Sequence, residues 1–404
     1  MSIIIVGGGI VGSTLALAIS YITKGTKQIF LIAETEPKDF LSSKKGGKII
    51  AISEDTCQKI ASFNLWSIIE SISTKITHIH ISDRGSLGFI SLDARERNIP
   101  SLGRVIELSR AIHTLFSCIK KAPGLTLYCP HTVSQVKRLE KYVSITLDNG
   151  KKINGELLVA ADGLHSNIAK ICGIKKYSIN YKQIAVTSTI STQFSHNGWA
   201  FERFTDQGPL AMLPVSHGCS ALIWCQSHKN YEKIMQWNDK KFLFELQNIF
   251  GWQLGRLLET GKRMIYPLHL HSVEQNISHR LVLIGDAAQT LHPIAGQGFN
   301  LGMRDIQSLV DTLQQAWENG KKAGEYSTLK FYQNLRKKDV RNTIKITNEL
   351  VRIFSNQHKG LIIGRSLSLM IIDQIPLLRN LLTQWVLGSM QWNIVLKDKK
   401  NETL

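Results

Sequence analysis

Between Leu283 and Gly302 the sequence reads LIGDAAQTLHPIAGQGFNLG. An apolar run ends in Gly285-Asp286, a nearly uncharged segment carries His292 and Pro293, and Gly296-Gln297-Gly298 opens a helical pattern. Unpaired amides and the positive dipole end of a helix start suit a ligand bearing negative charge. Two other strand ends are marked in the same way. GGGIVG sets Gly7, Gly9 and Gly12 in G-x-G-x-x-G register directly after the apolar run Ile3–Val6. Gly7 serves the tight turn, Gly9 lets a pyrophosphate approach the backbone, and Gly12 lets helix pack on strand. LLVAADGLHS ends a further apolar run in Asp162-Gly163. Alone this reads as a turn; beside the other two it is the form expected where a carboxylate meets a sugar or phosphate. The run QIFLIA ends at Ala33, so Glu34 is either the ribose ligand, one position later than the commonest pattern, or a solvated loop residue.

These residues need elements to hold them. Ile3–Val6, a helix over Ile10–Tyr21 and a strand over Gln28–Ala33 make a βαβ start, and helical patterns recur near 53–63 and 109–121. The run 125–160 reads as short strands with a DNG turn. From 184 to 226, IAVTSTI, WAFERFT, LAMLPV and CSALIWC alternate as an antiparallel sheet should, followed by one polar-faced helix around 230–249. A last apolar strand over Leu281–Ile284 leads into a helix near 298–318, and everything after about 327 reads as helical. At 404 residues two lobes are expected, interleaved along the chain.

Composition narrows the function classes. The net charge is +18, with a disproportionate share after residue 320, but no Lys/Arg cluster interleaved with aromatics argues for nucleic acid. Six cysteines without a CxxC or nearby histidines exclude a zinc or disulfide framework and suit a reducing cytoplasm. The apolar N-terminus lacks a basic n-region and is broken by glycines, so it reads as mature structure. The stretch 381–396 contains polar residues and suits lying on a membrane rather than crossing it.

The three glycine-marked strand ends together resemble the flavoprotein aromatic hydroxylases of the 4-hydroxybenzoate hydroxylase type. HPIAGQGFNLGMRD, with HISDRGSLGFI, AFERFTDQGPLAMLP and FGWQLG, is similar to the ubiquinone-pathway branch of that family over nearly the whole chain. The resemblance implies an α/β fold: a glutathione-reductase-type FAD-binding domain (1–75, 101–175, 280–326) interleaved with an antiparallel β-sheet substrate domain (76–100, 176–279), plus C-terminal helices (327–404). It implies FAD as cofactor, NAD(P)H as reductant and O2 as co-substrate, with O2 adding at flavin C4a and one oxygen passing to an electron-rich phenol. The ring implied is that of a 2-polyprenyl-6-methoxyphenol, oxidised to the 1,4-benzoquinol. Alternatives are another ring step of that pathway, a flavin-dependent isoprenoid-lipid reductase, or a non-catalytic FAD-bearing factor of a lipid-biosynthesis complex. A peripheral place on the inner membrane face and membership of such a protein complex are further expectations.

On this resemblance Gly7, Gly9, Gly12, Glu34, Asp162, Gly163, Gly285 and Asp286 bind FAD, Asp286 at the ribityl chain. Gly296, Gln297, Gly298 and Asn300 lie at the charge of the reduced ring, where a glycine lets a planar ring approach. Pro293 holds the approach extended and lacks an N–H. The chain also departs from the family. An Asp-x-Arg pair is replaced at Gly46 and Lys48, and Lys48 keeps the charge without the planar fork. Ala169 and Lys170 stand where the DG motif often has Arg, and Gln289 replaces the histidine of GDAAH. Arg110, at a helix start, is a further candidate FAD contact. His292 either assists phenol deprotonation or packs. His78 and His80 are read as structural, Arg203 as facing substrate or pairing locally. No metal site is expected.

Overall fold

The computed structural model describes residues 2–37, 48–85, 88–354 and 370–388. Gly46, and the second half of the stretch 381–396, lie outside them.

The N-terminal strand Ser2–Val6 sits between Gln28–Ile32 and Leu157–Ala160, in parallel with both. The sheet continues to Leu125–Tyr128 on one side and through Leu281–Leu283 to Ile277–Ser278 on the other. Its strands read as continuous apolar runs because helices cover one face, among them Ile10–Ile22, and an antiparallel meander over Val133–Gly155 covers the other. Gly7 adopts φ +119°, and a β-carbon there would stand 2.2 Å from the Ala161 carbonyl oxygen. At Gly12 it would stand 2.0 Å from the Gly7 carbonyl oxygen. The turn and the helix packing each exclude a side chain.

The second lobe is built on a sheet ordered Gln289–Thr290, Met264–Val273, Lys176–Thr192, Cys219–Ser227, Leu210–Pro214, Trp199–Phe204, His78–Asp83, Phe89–Asp93. The expectation of a purely antiparallel sheet is corrected at one pair. Trp199–Phe204 runs parallel to His78–Asp83. Parallel neighbours need a long crossover, and here the intervening chain passes through the nucleotide lobe. The helix expected over 230–249 is two, Tyr231–Gln236 and Asp239–Phe250. Trp237 turns extended, and the Asn238 side chain accepts from the Lys241 N–H at 2.9 Å, starting a new helix. The lobes also share a segment: Gln289–Thr290, directly after the Gly-Asp motif, pairs with Ser272 and His271 at the edge of the second sheet.

After residue 325 the helices Tyr326–Phe354 and Pro376–Val386 are described from end to end, and residues 370–374 are helical as well. Tyr326–Phe354 packs along the long helix Gln297–Glu318, while Pro376–Val386 lies against the sheet of the second lobe. Among the described residues no helix is long and apolar enough to cross a membrane.

Candidate active site

The C-terminal ends of Leu281–Leu283, Leu157–Ala160 and Ser2–Val6 lie side by side, so the three glycine-marked loops meet. This is the crevice where open α/β sheets bind ligands. Val11, on the first helix, is the shared contact. A β-carbon on Gly285 would approach its side chain to 3.1 Å, and one on Gly302 to 3.4 Å. Three other glycines, Gly9, Gly163 and Gly298, have nothing within 4 Å of an added β-carbon, and all three line the same cavity. They are the places where a bound group can touch backbone.

The Gly-Asp loop is held from behind by a buried ion network. The Gly285 N–H and the Gln289 amide donate to one oxygen of Asp305, at 3.1 and 2.7 Å. Arg336 donates to the other at 2.7 Å and reaches Asp339 at 2.5 Å. Asp339 in turn accepts from Arg304 at 2.9 Å. Burial opposes the charge on Asp339, but Arg304 and Arg336 outweigh it and hold the carboxyl below its ordinary value. The network joins the helix Tyr326–Phe354 to the nucleotide lobe. Asp286 itself opens on to the cavity. The dense protein around it pushes its carboxyl above the ordinary value, and the Lys48 ammonium, also lining the cavity, pulls it down.

The long helix begins at Gln297, capped by Gly296 at φ +61°. Its first amides have no partner within the helix. Asn300 fixes where they point. Its oxygen accepts from the Ser53 N–H at 3.0 Å and the Thr56 hydroxyl at 2.7 Å. Its amide nitrogen donates to the carbonyls of Gly296 at 2.9 Å and Ala51 at 3.4 Å. All four hydrogen-bonding positions of this side chain are used by protein, so Asn300 positions the helix start rather than binding a ligand. An Asn300→Leu variant leaves the buried Ser53 and Thr56 donors unmet. Denaturant unfolding should show a loss of about 2–4 kcal/mol.

Beyond the helix start the cavity, about 1110 Å³ in all, continues into an apolar chamber. Ile79, Ile81, Ile90, Ala200 and Leu213 form its wall on the second sheet, and Leu382, Trp385 and Val386 close it from the C-terminal helix. The volume slightly exceeds the usual range of a single small-molecule pocket. Open glycines at one end and an apolar chamber at the other fit a dinucleotide with a planar ring and a second, greasy ligand.

Residues 124–346, more than half of the chain, match the family model described as FAD binding domain. Ubiquinone hydroxylase UbiL of Rhodospirillum rubrum is 32% identical over 390 residues, covering 96% of this chain and 90% of that protein. The chain belongs to the FAD-dependent monooxygenase family. The 3-demethoxyubiquinol 3-hydroxylase of Escherichia coli is 27% identical over 387 residues, covering 96% of this chain and 98% of that protein. The crystal structure of p-nitrophenol 4-monooxygenase PnpA from Pseudomonas putida superposes with a TM-score of 0.78 at 15% identity, over 96% of this chain and 98% of that one, a likeness of fold.

In this monooxygenase one sequence expectation is corrected at Pro293, and of the two readings left open at His292 the geometry favours packing. Pro293 is not extended: at φ −66°, ψ −5° it starts a short 3-10 turn over Ile294–Gly296 that leads into the long helix. His292 is fully buried, and both ring nitrogens are engaged. The Ile294 N–H donates to Nδ1 at 3.2 Å, which leaves Nε2 to donate to the Gln183 side-chain oxygen at 3.0 Å. Tyr181 packs edge-on against the ring, with centroids 5.1 Å apart. Burial lowers the His292 pKa to about 3, so the ring is neutral and too weak a base for a phenol proton. Unfolded, the same histidine titrates near its ordinary value of about 6.5. Its contribution to stability is therefore complete above that pH and is lost as pH falls toward 3. Stability should drop by about 1.4 kcal/mol per pH unit from this group, and urea midpoints of His292→Phe should show a flatter acid slope.

The remaining candidates separate. Gly9, Lys48, Gly163, Gly285, Asp286, His292, Pro293, Gly296, Gly298 and Asn300 line the cavity. Gly7 and Gly12 act one layer behind, in the turn and the helix packing. Gln297 is buried beneath the helix start. Glu34 is exposed beyond its strand. Arg110 is half-buried in the first turn of Leu108–Ile119, whose Leu108 and Ile112 reach the cavity. Asp162 turns to protein, its carboxylate accepting from the Ile168 N–H at 3.0 Å at the start of a short helix. His78 stacks on Trp199 and His80 on Phe89, as structural residues do.

Sequence reasoning missed Asp305 and Arg336. Asp305 carried one signal. It lies four residues from both Leu301 and Leu309, on the buried stripe of its helix, where a charge requires a partner.

Proposed function

We propose that this monooxygenase hydroxylates the ring of a polyprenylated phenol in ubiquinone biosynthesis, drawing electrons from NAD(P)H and oxygen from O2. The observation that carries the proposal is one cavity running without a break from the glycine-marked strand ends to an apolar chamber. Bound FAD, reduced by NAD(P)H, supplies the oxygen activation that places one atom of O2 on the ring and releases the other as water. The chain's own residues hold and shield the reactants. Gly9 admits the pyrophosphate to the amides of the first helix, and Asp286 accepts from the ribityl hydroxyls. The amides at Gln297 and Gly298 and the ammonium of Lys48 face the negative charge of the reduced ring. Leu382, Trp385 and Val386 keep water from the chamber.

The motif sequence supports 2-polyprenyl-6-methoxyphenol, hydroxylated para to its hydroxyl. The similarity to the E. coli protein named 3-demethoxyubiquinol 3-hydroxylase favours a second reading, a later quinol of the same pathway. Purified flavin-loaded protein given NADH or NADPH with short-chain analogues of both rings decides between them. The expected result is coupled hydroxylation of the methoxyphenol. Coupled turnover of the demethoxyquinol alone selects the second reading. Reduction of a prenyl double bond without O2 removes both.

A further inference from the structure

The segment 370–386 is apolar on both sides. Inward, Ile372, Leu382 and Val386 pack on the second sheet and line the cavity. Outward, Ile371 is 50% exposed, Ile375 43%, Leu377 68% and Leu381 40%. On an ordinary surface helix this outer stripe is polar, and a contiguous exposed apolar stripe marks a docking face.

We infer that this stripe is a docking face for an anionic lipid bilayer. Three observations favour a bilayer over a protein partner. The stripe and the apolar chamber are two faces of one thin element, so a bilayer on the outer face lies one helix away from the cavity. The element is clamped against the sheet rather than loose, because Arg379 donates to the Ser91 carbonyl at 2.8 Å and pairs with Glu96 at 3.0 Å. That pair brings the turn Ala94–Arg97 alongside, where Arg97 is exposed while Arg95 pairs with Asp93 at 2.6 Å. A chain of net charge +18 with the exposed Arg97 on the turn beside an apolar stripe complements a negative headgroup layer. The role of the face in delivering a polyprenylated ring rests on the function proposed above; its lipid binding does not.

The test is flotation of the flavin-loaded full chain with vesicles of phosphatidylcholine, with and without phosphatidylglycerol, for the wild type and for Leu377→Ser/Leu381→Ser. Flavin content and unfolding temperature confirm that the variant is folded. The wild type is expected to float with phosphatidylglycerol vesicles, less at high salt. The variant should bind about a hundredfold more weakly, roughly tenfold per leucine removed from contact with hydrocarbon. Hydroxylation of a short water-soluble phenol should be unchanged in the variant, while that of a polyprenylated phenol presented in vesicles falls. Failure of the wild type to bind either vesicle overturns the inference, as does equal binding by the variant. A change in oligomeric mass in the variant, with no vesicle binding by either form, overturns it in favour of a second copy of the chain. Vesicle binding that is lost in the variant supports the inference even if neither phenol is hydroxylated, a result that would remove the functional reading instead.

Discussion

Arg336→Met is expected to lower the unfolding free energy by about 3–5 kcal/mol, among the largest effects of any single change in this chain. The guanidinium is almost fully enclosed and pairs with both Asp305 and Asp339. Burial opposes its charge, yet the two carboxylates raise its pKa, so it stays charged at every accessible pH. Methionine fills much of the space but leaves Asp305 buried with only the Gly285 N–H and the Gln289 amide. Most of the loss comes from the orphaned carboxylate, and less from the attraction removed. Asp305→Asn in the same background should therefore return part of the loss, and a double-mutant cycle by urea unfolding measures it. Because Asp305 holds the Gly-Asp loop, flavin retention should fall in parallel with stability.

Gly298→Val is expected to do the opposite: keep or slightly raise stability while lowering flavin affinity by at least about a hundredfold. No atom lies within 4 Å of the added β-carbon, so the protein itself has room. In the first turn of a helix, valine costs less conformational entropy than glycine. The new methyl groups instead fill the cavity where a planar ring meets the helix amides. Flavin titration followed by fluorescence, beside a thermal unfolding curve, separates the two effects. Gly12→Ala makes the contrast, since its methyl collides with the Gly7 carbonyl oxygen and should cost the fold directly.

The strand ends were legible in the sequence because each combines a continuous apolar run with a glycine at positive φ, Gly7, Gly163 and Gly285. Gly7, Gly12 and Gly285 are read from local rules alone. What local rules do not carry is pairing across sequence distance. Asn300 reads as a ligand beside a helix start until Ser53 and Thr56, nearly 250 residues earlier, take its oxygen. His292 reads as a candidate base until Gln183 takes its second nitrogen. The parallel strand pair at His78–Asp83 and the closure of the chamber by Leu382, Trp385 and Val386 likewise depend on how distant segments meet. Glu34, one position late for the common ribose pattern, is exposed beyond its strand, where the spacing left a solvated loop residue as the other choice.

The fate of the oxygen is the most direct measure of the proposed chemistry. Flavin-loaded protein, NAD(P)H and the prenylated methoxyphenol are incubated under 18O2, and the product is weighed by mass spectrometry. One 18O atom on the ring per NAD(P)H consumed is the predicted result. NAD(P)H oxidation that leaves the phenol unlabelled, or product oxygen that comes from water, would contradict it.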